Sequence, residues 1–219
     1  ERLKGVRSRY LPENGIEGTI TLDESKFPAR PIRILWIGSL EARKGLILLI
    51  EAIGMLRDPQ QIRVDVLGNG PLRESLIARA AELGVSDQFH WHGHVARSEV
   101  LDLLDRSHLH VITGLNEANT TSIWEALGHS VPVMTLDHCG MRDVVEPSYG
   151  IRIPVTDMQG CSRDIAAALE ELIVAPERLE TMARACATEC DRFRIVHRPG
   201  TFLDAYKTAQ SRHRARITG

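Results

Sequence analysis

Ile32-Arg33-Ile34-Leu35-Trp36-Ile37-Gly38 is an apolar, β-branched run closed by a glycine. Such a run suits a buried strand that ends in a turn. Just beyond it, Lys44 to Leu56 carries Leu46, Leu49, Ile50 and Ile53 at helical spacing. The same strand-then-helix unit recurs outward. Ile62 to Leu67 is a second strand, closed by Gly68-Asn69-Gly70. Pro71 suits the first position of a helix running to about Leu83, and Gly84 suits its C-terminal cap. Phe89 to Trp91 is a short strand ending at Gly93, and Ser98 as N-cap opens a helix to Asp105. Leu109 to Ile112 and Val131 to Leu136 are strands on either side of a helix over Thr120 to His129. Gly150 to Ile153 is a last short strand. From Arg163 the pattern is helical, with breaks near Pro176 and Pro199. Alternation of this size implies parallel βαβ units. The expected fold class is α/β, a doubly wound Rossmann-like parallel sheet with C-terminal helices.

Residues 1–30 are less regular, with a turn signal at Pro12-Glu13-Asn14-Gly15. They read as a linker and N-terminal segment leading into one domain over residues 31–219. The chain has 219 residues, enough for a sizeable core. Its 43% hydrophobic and 26% charged residues are ordinary for a soluble globular protein. A net charge of -2 argues against nucleic acid as the main partner. The basic tail Arg212-His213-Arg214-Ala215-Arg216 reads as a solvated terminus. No apolar run approaches the ~20 residues that cross a bilayer, and Glu1-Arg2-Leu3-Lys4-Gly5 is no signal peptide. The missing initiator Met suggests a piece of something longer. Cys139, Cys161, Cys186 and Cys190 are scattered, which reads as reduced thiols and a cytoplasmic location.

In a doubly wound sheet, ligands bind beyond the carboxyl ends of the strands. Four loops are expected there. In Gly38-Ser39-Leu40-Glu41-Ala42-Arg43-Lys44-Gly45, two cations stand at a helix start, the unfavourable end for positive charge. Either both bend into solvent, or an anion sits between them and the helix end. In Gly68-Asn69-Gly70-Pro71, two glycines allow a tight turn or close approach to a ligand. Arg73 occupies the third glycine position of a dinucleotide fingerprint, which disfavours a nicotinamide dehydrogenase. His90, His92 and His94 alternate and would share a face. They read as polar pocket lining or surface, with a metal site as the less favoured alternative because no carboxylate or Cys stands at ligand spacing. The fourth loop runs from Thr113 to Leu127. Glu117 lies in the loop, and Asn119, Thr120, Thr121 and Ser122 suit an N-cap region rich in free N–H groups. Glu125 shares a helix face with Thr121. It either meets solvent or accepts from a pair of sugar hydroxyls.

Glu117 and Glu125 bracket seven residues. That stretch, Asn116 to Val133 with Pro132-Val133 opening the next strand, resembles the signature of group 1 retaining glycosyltransferases. Gly38…Lys44-Gly45, Gly68-x-Gly70-Pro71, Gly93, Cys139-Gly140-Met141-Arg142-Asp143-Val144-Val145 and Asn14-Gly15-Ile16 match further family motifs in order. The resemblance covers about residues 10 to 190. It implies the C-terminal, donor-binding half of a GT-B architecture, whose other half binds the acceptor. Lys44 would contact donor phosphate, with Arg43 assisting, and Glu125 would bind the ribose hydroxyls. Glu117 would sit near the reacting centre as the catalytic residue, and Gly93-His94-Val95 near the nucleobase. Backbone at Asn119 to Thr121 would approach phosphates or sugar, and Gly140-Met141 would flank the sugar. Gly38, Ser39, Gly68 and Gly70 complete the expected donor site.

The resemblance further implies sugar transfer from a nucleotide-diphosphate sugar to a hydroxyl with retention, with no metal and no cofactor, in polysaccharide or glycan assembly. The full-length protein would associate at most peripherally with a membrane. The isolated chain would be inactive, since acceptor groups would come from an absent N-terminal domain. Phe202 and Tyr206 would pack either on that domain or on this one. Alternatives are a GT-B epimerase or phosphorylase, or a non-catalytic nucleotide-binding module. The chain departs from the family at four places. Ser39 stands where many members have Arg, which removes one phosphate contact. Ser130 and Cys139 replace glycines, and Asp143 replaces Glu.

Overall fold

The computed structural model describes residues 14–27, 29–117 and 120–217, with side chains through residue 211. Pro12, Glu13 and Asn119 lie outside the described residues, as do the side chains of the basic tail. The strands are β1 (Ile32–Ile37), β2 (Ile62–Leu67), β3 (Phe89–Gly93), β4 (Leu109–Ile112), β5 (Val133–Leu136) and β6 (Gly150–Ile153). They form one sheet in the order β3-β2-β1-β4-β5-β6, with every neighbouring pair parallel. This is the expected doubly wound sheet, and its order reverses between β1 and β4. The helices are α1 (Leu46–Gly54), α2 (Arg73–Glu82), α3 (Arg97–Arg106), α4 (Thr121–Gly128), α5 (Met141–Val144), α6 (Met158–Val174), α7 (Glu177–Glu189) and α8 (Arg198–Ile217).

Successive side chains of a strand point to opposite faces, and β1 feeds two cores accordingly. Ile32, Ile34 and Trp36 join Leu49 and Ile53 of α1, Leu76 of α2 and Leu169 of α6. Leu35 joins Leu104 of α3, Ile123 and Trp124 of α4 and Cys186 of α7. Fully burying each such aliphatic side chain stabilises the fold by about 2 kcal/mol. Residues 14–27 pack on this body rather than leading away from it. Ile16 is buried, its N–H donates to the Phe193 carbonyl, and its own carbonyl accepts from Ile195. Phe202 and Tyr206 of α8 stay exposed, so they do not complete this core. The four cysteines are free thiols. Among the described residues no helix is long and apolar enough to cross a membrane.

Several element ends differ from the sequence expectation, each for a local reason. Gly45 is left-handed (φ 64°), so α1 starts at Leu46, and Arg43 and Lys44 sit in a 3-10 turn before it. Pro71 lies in a turn rather than at a helix start. Leu72 N–H donates to the Leu40 carbonyl there, and α2 begins at Arg73. Ser98 lies inside α3 and does not cap it, since Ala96 holds the cap position. Val131 N–H closes α4 by donating to Ala126, so β5 begins only at Val133. The carboxylate of Asp157 accepts from Gly160 N–H and starts α6 at Met158, earlier than Arg163. Pro199 falls in the first turn of α8, where a missing N–H costs nothing. The break near it comes earlier, at the 3-10 turns Cys190–Phe193 and Ile195–His197. The four-residue α5 carries too little periodicity to read from sequence.

β4 places one imidazole in the interior. His110 is fully buried, with Nδ1 at 3.0 Å from the Leu35 carbonyl and Nε2 at 3.0 Å from Ser122 Oγ. A carbonyl only accepts, so Nδ1 carries the proton and Nε2 accepts from Ser122. Burial pushes the His110 pKa from 6.5 down to about 4. The folded chain thus resists a proton that the unfolded chain takes up. The stability this contributes is present above pH 6.5 and is lost as the pH falls towards 4. A shift of that size corresponds to about 3 kcal/mol. Urea melts between pH 7 and about 4 should show the decline. His110→Gln, which keeps a donor and an acceptor, should flatten it.

Candidate functional site

The carboxyl edge of the sheet is built largely from main chain. Gly38 N–H donates to Leu67 O (3.0 Å), Leu40 N–H to Asn69 O (3.0 Å) and Gly68 N–H to Gly93 O (2.7 Å). These bonds stitch the loops after β1, β2 and β3 together. Gly68 has φ 125°, and a Cβ there would stand 2.0 Å from the Gly38 carbonyl oxygen, so no other residue fits. The stitched loops enclose a cleft of about 350 Å³. Of the expected donor residues, Gly38, Ser39, Gly68, Gly93, His94 and Val95 line it. The hydroxyl of Ser39 is buried there and has no partner among the described residues. Gly70 does not line this cleft. It packs against Leu40, whose carbonyl oxygen a Cβ would approach to 2.5 Å.

A second set of bonds joins the loop after β1 to the loop after β4. Trp36 Nε1–H donates to Thr113 Oγ1 (3.0 Å), and Thr113 Oγ1–H donates to the Lys44 carbonyl (2.9 Å). Leu115 N–H donates to the Arg43 carbonyl (2.8 Å), and His138 Nε2–H donates to the Gly114 carbonyl (2.9 Å). Gly45 approaches Thr113 so closely that a Cβ would lie 2.4 Å from its carbonyl oxygen. Held in this frame, Lys44 Nζ forms an ion pair with Glu117 Oε1. The two side chains are 19% and 10% exposed. Two residues expected to act on different parts of a ligand are therefore each other's partners. Arg43 differs from the expectation. It is 58% exposed, pairs with Glu41 at 2.8 Å, and does not stand at a helix N-terminus.

Thr120 precedes α4, and its side chain does not cap the helix. Its hydroxyl lies instead 3.3 Å from Ser122 Oγ, so among the described residues no side chain caps the first-turn N–H groups of α4. Thr121 and Glu125 line a different cleft, about 250 Å³, together with Glu17, Arg97, Trp124 and His129. Gly140 is buried at the start of α5. His90 and His92 share a face as expected, with ring centroids 4.3 Å apart. The carboxylates that fold beside them come from β2 and α3 and have no ligand spacing to these histidines in the chain. His92 Nε2 bonds Asp65 Oδ1 at 2.7 Å, with Glu99 at 3.8 Å. Arg97, Glu17 and His138 also carry no sequence signal, because each meets the site from another element, whereas Thr113 opens the loop that holds Glu117.

A doubly wound parallel sheet with a cleft beyond the carboxyl ends of its strands defines a Rossmann-like domain. The family model for glycosyl transferases group 1 matches residues 20–185, and the chain belongs to that family. It is similar to glycogen synthase of Mycobacterium tuberculosis, 27% identical over 83% of this chain and 44% of that protein. It is also similar to D-inositol 3-phosphate glycosyltransferase of Thermobispora bispora, 26% identical over 84% of this chain and 45% of that protein. The chain thus spans less than half the length of these curated relatives. Among solved structures it is similar to the pneumococcal O-GlcNAc transferase GtfA in complex with UDP and GlcNAc. The TM-score is 0.74, with 19% identity over 89% of this chain and 38% of that one. The lipopolysaccharide outer core galactosyltransferase WaaB in apo form gives a TM-score of 0.74, with 19% identity over 91% of this chain and 55% of that one. These two likenesses establish the shared fold.

The Lys44–Glu117 pair generates a stability prediction. Lys44→Ala leaves a mostly buried carboxylate without its counter-charge and should cost about 2–3 kcal/mol. Adding Glu117→Gln to Lys44→Ala removes the stranded charge and should recover more than half of the loss. A double-mutant cycle by urea denaturation measures the coupling.

Proposed function

We propose that this chain is the donor-binding part of a retaining glycosyltransferase that moves a sugar from a nucleotide-diphosphate sugar to an acceptor hydroxyl in glycan assembly. The observation that carries the reading is the mostly buried Lys44–Glu117 ion pair at the switch point between β1 and β4. An ammonium and a carboxylate held together there are chemically suited to the two ends of the reacting bond. The ammonium suits the departing diphosphate, and the carboxylate suits the sugar, whose transition state is oxocarbenium-like. Neighbours of this fold support a nucleotide ligand, since GtfA was solved with UDP and GlcNAc and HepE of Anabaena with UDP and glucose.

In this reading the diphosphate enters beside Lys44 and draws its Nζ away from Glu117. The uncapped N–H groups at the start of α4 meet the phosphate oxygens, where a helix N-terminus favours an anion. Ser39 Oγ, buried without a partner, bonds the donor in place of the arginine that many relatives carry. Glu125 takes the ribose hydroxyls, and Gly93-His94-Val95 flanks the base. Arg43 leaves Glu41 to assist the phosphates, at little cost because that pair is exposed. The reaction runs in the cytoplasm, and acceptor groups come from a further domain of the same protein.

Isothermal titration of UDP, GDP and ADP into the 219-residue chain tests the reading. At least one should bind, and Lys44→Ala and Glu125→Ala should each weaken it about tenfold. The chain alone should transfer no sugar. Binding of none of the three, or no loss in either variant, would overturn the reading.

A further inference from the structure

Glu125 is 16% exposed, and its carboxylate makes no hydrogen bond among the described residues. Among the described residues its one counter-charge is Arg97, whose Nη2 lies 3.5 Å from Oε1. Arg97 belongs to the first turn of α3 and gives its hydrogen bond elsewhere, to Glu17 Oε2 at 3.0 Å. All three side chains line the same cleft of about 250 Å³. The other titratable group there, His129, is occupied with Asp105 at 2.6 Å. A carboxylate offers about four acceptor positions. Glu125 therefore stands in a cleft with its acceptors open and a cation beside it that does not fill them.

We infer that Arg97 is a positioning residue for the nucleotide. It holds Glu125 aimed into the cleft, so that the carboxylate accepts from both ribose hydroxyls of a nucleoside diphosphate. The inference rests on the donor-binding reading above. Its physical basis is the cost of desolvating a carboxylate, which rises steeply without a nearby opposite charge. Arg97 supplies that charge from the solvent side, where its guanidinium stays hydrated. Glu17 tethers the guanidinium and so limits the rotamer freedom that a long free side chain would keep. Because the contact to Glu125 is an ion pair without a hydrogen bond, the charge matters more than the planar fork. A lysine should substitute and a glutamine should not.

The test compares ribose with deoxyribose. Whichever of UDP, GDP and ADP binds tightest is titrated in its ribo and 2′-deoxy forms against wild type, Glu125→Ala, Arg97→Gln and Arg97→Lys. Wild type should prefer the ribo form by about tenfold, the scale of one well-placed hydroxyl contact. Glu125→Ala should erase that preference. Arg97→Gln should weaken the ribo form about threefold to tenfold and leave the deoxy form nearly unchanged, while Arg97→Lys keeps most of the preference. A merely structural role would lower both affinities and the melting temperature together. An unchanged ribo-to-deoxy ratio in Arg97→Gln, with the ratio lost in Glu125→Ala, overturns the role of Arg97 alone. No binding by wild type overturns the nucleotide reading and this inference with it.

Discussion

The carboxyl edge of this domain depends on the uncharged hydrogen-bonded frame that brings one ion pair together. Lys44 and Glu117 come from loops that leave neighbouring strands in divergent directions, where β1 sends its chain to one side of the sheet and β4 to the other. Two opposite charges meet there only because uncharged groups fix the backbone on both sides. The indole of Trp36 reaches out of the core to Thr113, and Thr113 passes the constraint to the Lys44 carbonyl. The left-handed Gly45 lets the two loops approach within contact distance. Packing, backbone conformation and charge are thus serial requirements, and loss of an early one disables those after it.

The frame also explains why the recognition groups fall into two clefts. One is walled by main chain from the loops after β1, β2 and β3, and offers shape and a single orphan hydroxyl. The other lies between α3 and α4 and offers charge. The ion pair belongs to neither lining set. A ligand that is apolar at one end, charged in the middle and rich in hydroxyls matches such a division of labour. The proposed nucleotide sugar has that make-up.

Much of the fold is legible in the sequence because buried parallel strands are near-continuous apolar runs. β1, β2, β4 and β6 have the bounds that hydrophobicity alone suggests. The errors cluster where local backbone chemistry competes with periodicity. A helical pattern from Lys44 onward does not disclose that Gly45 interrupts it. Pro71 looks like a helix start until the Leu40 carbonyl captures the next N–H. At the candidate site, motif order gathers most of the glycines of one cleft, but it cannot show which side chains pair. Lys44 and Glu117 are 73 positions apart, and nothing in either loop names the other. Arg97 reads as an ordinary exposed cation at the start of a helix, and only the folded chain sets it beside Glu125.

The Gly38–Gly68 approach has a consequence for how such a domain can change over time. The walls of the main cleft are peptide groups bonded to peptide groups, so its shape owes little to the side chains that point into it. Positions such as Ser39 and His94 can then be exchanged without rebuilding the frame. A scaffold of this kind can drift from one ligand to another by single replacements, each tested by selection on an intact fold. Ser39 is such a position, since its hydroxyl faces the cleft and none of the hydrogen bonds of the frame runs through its side chain.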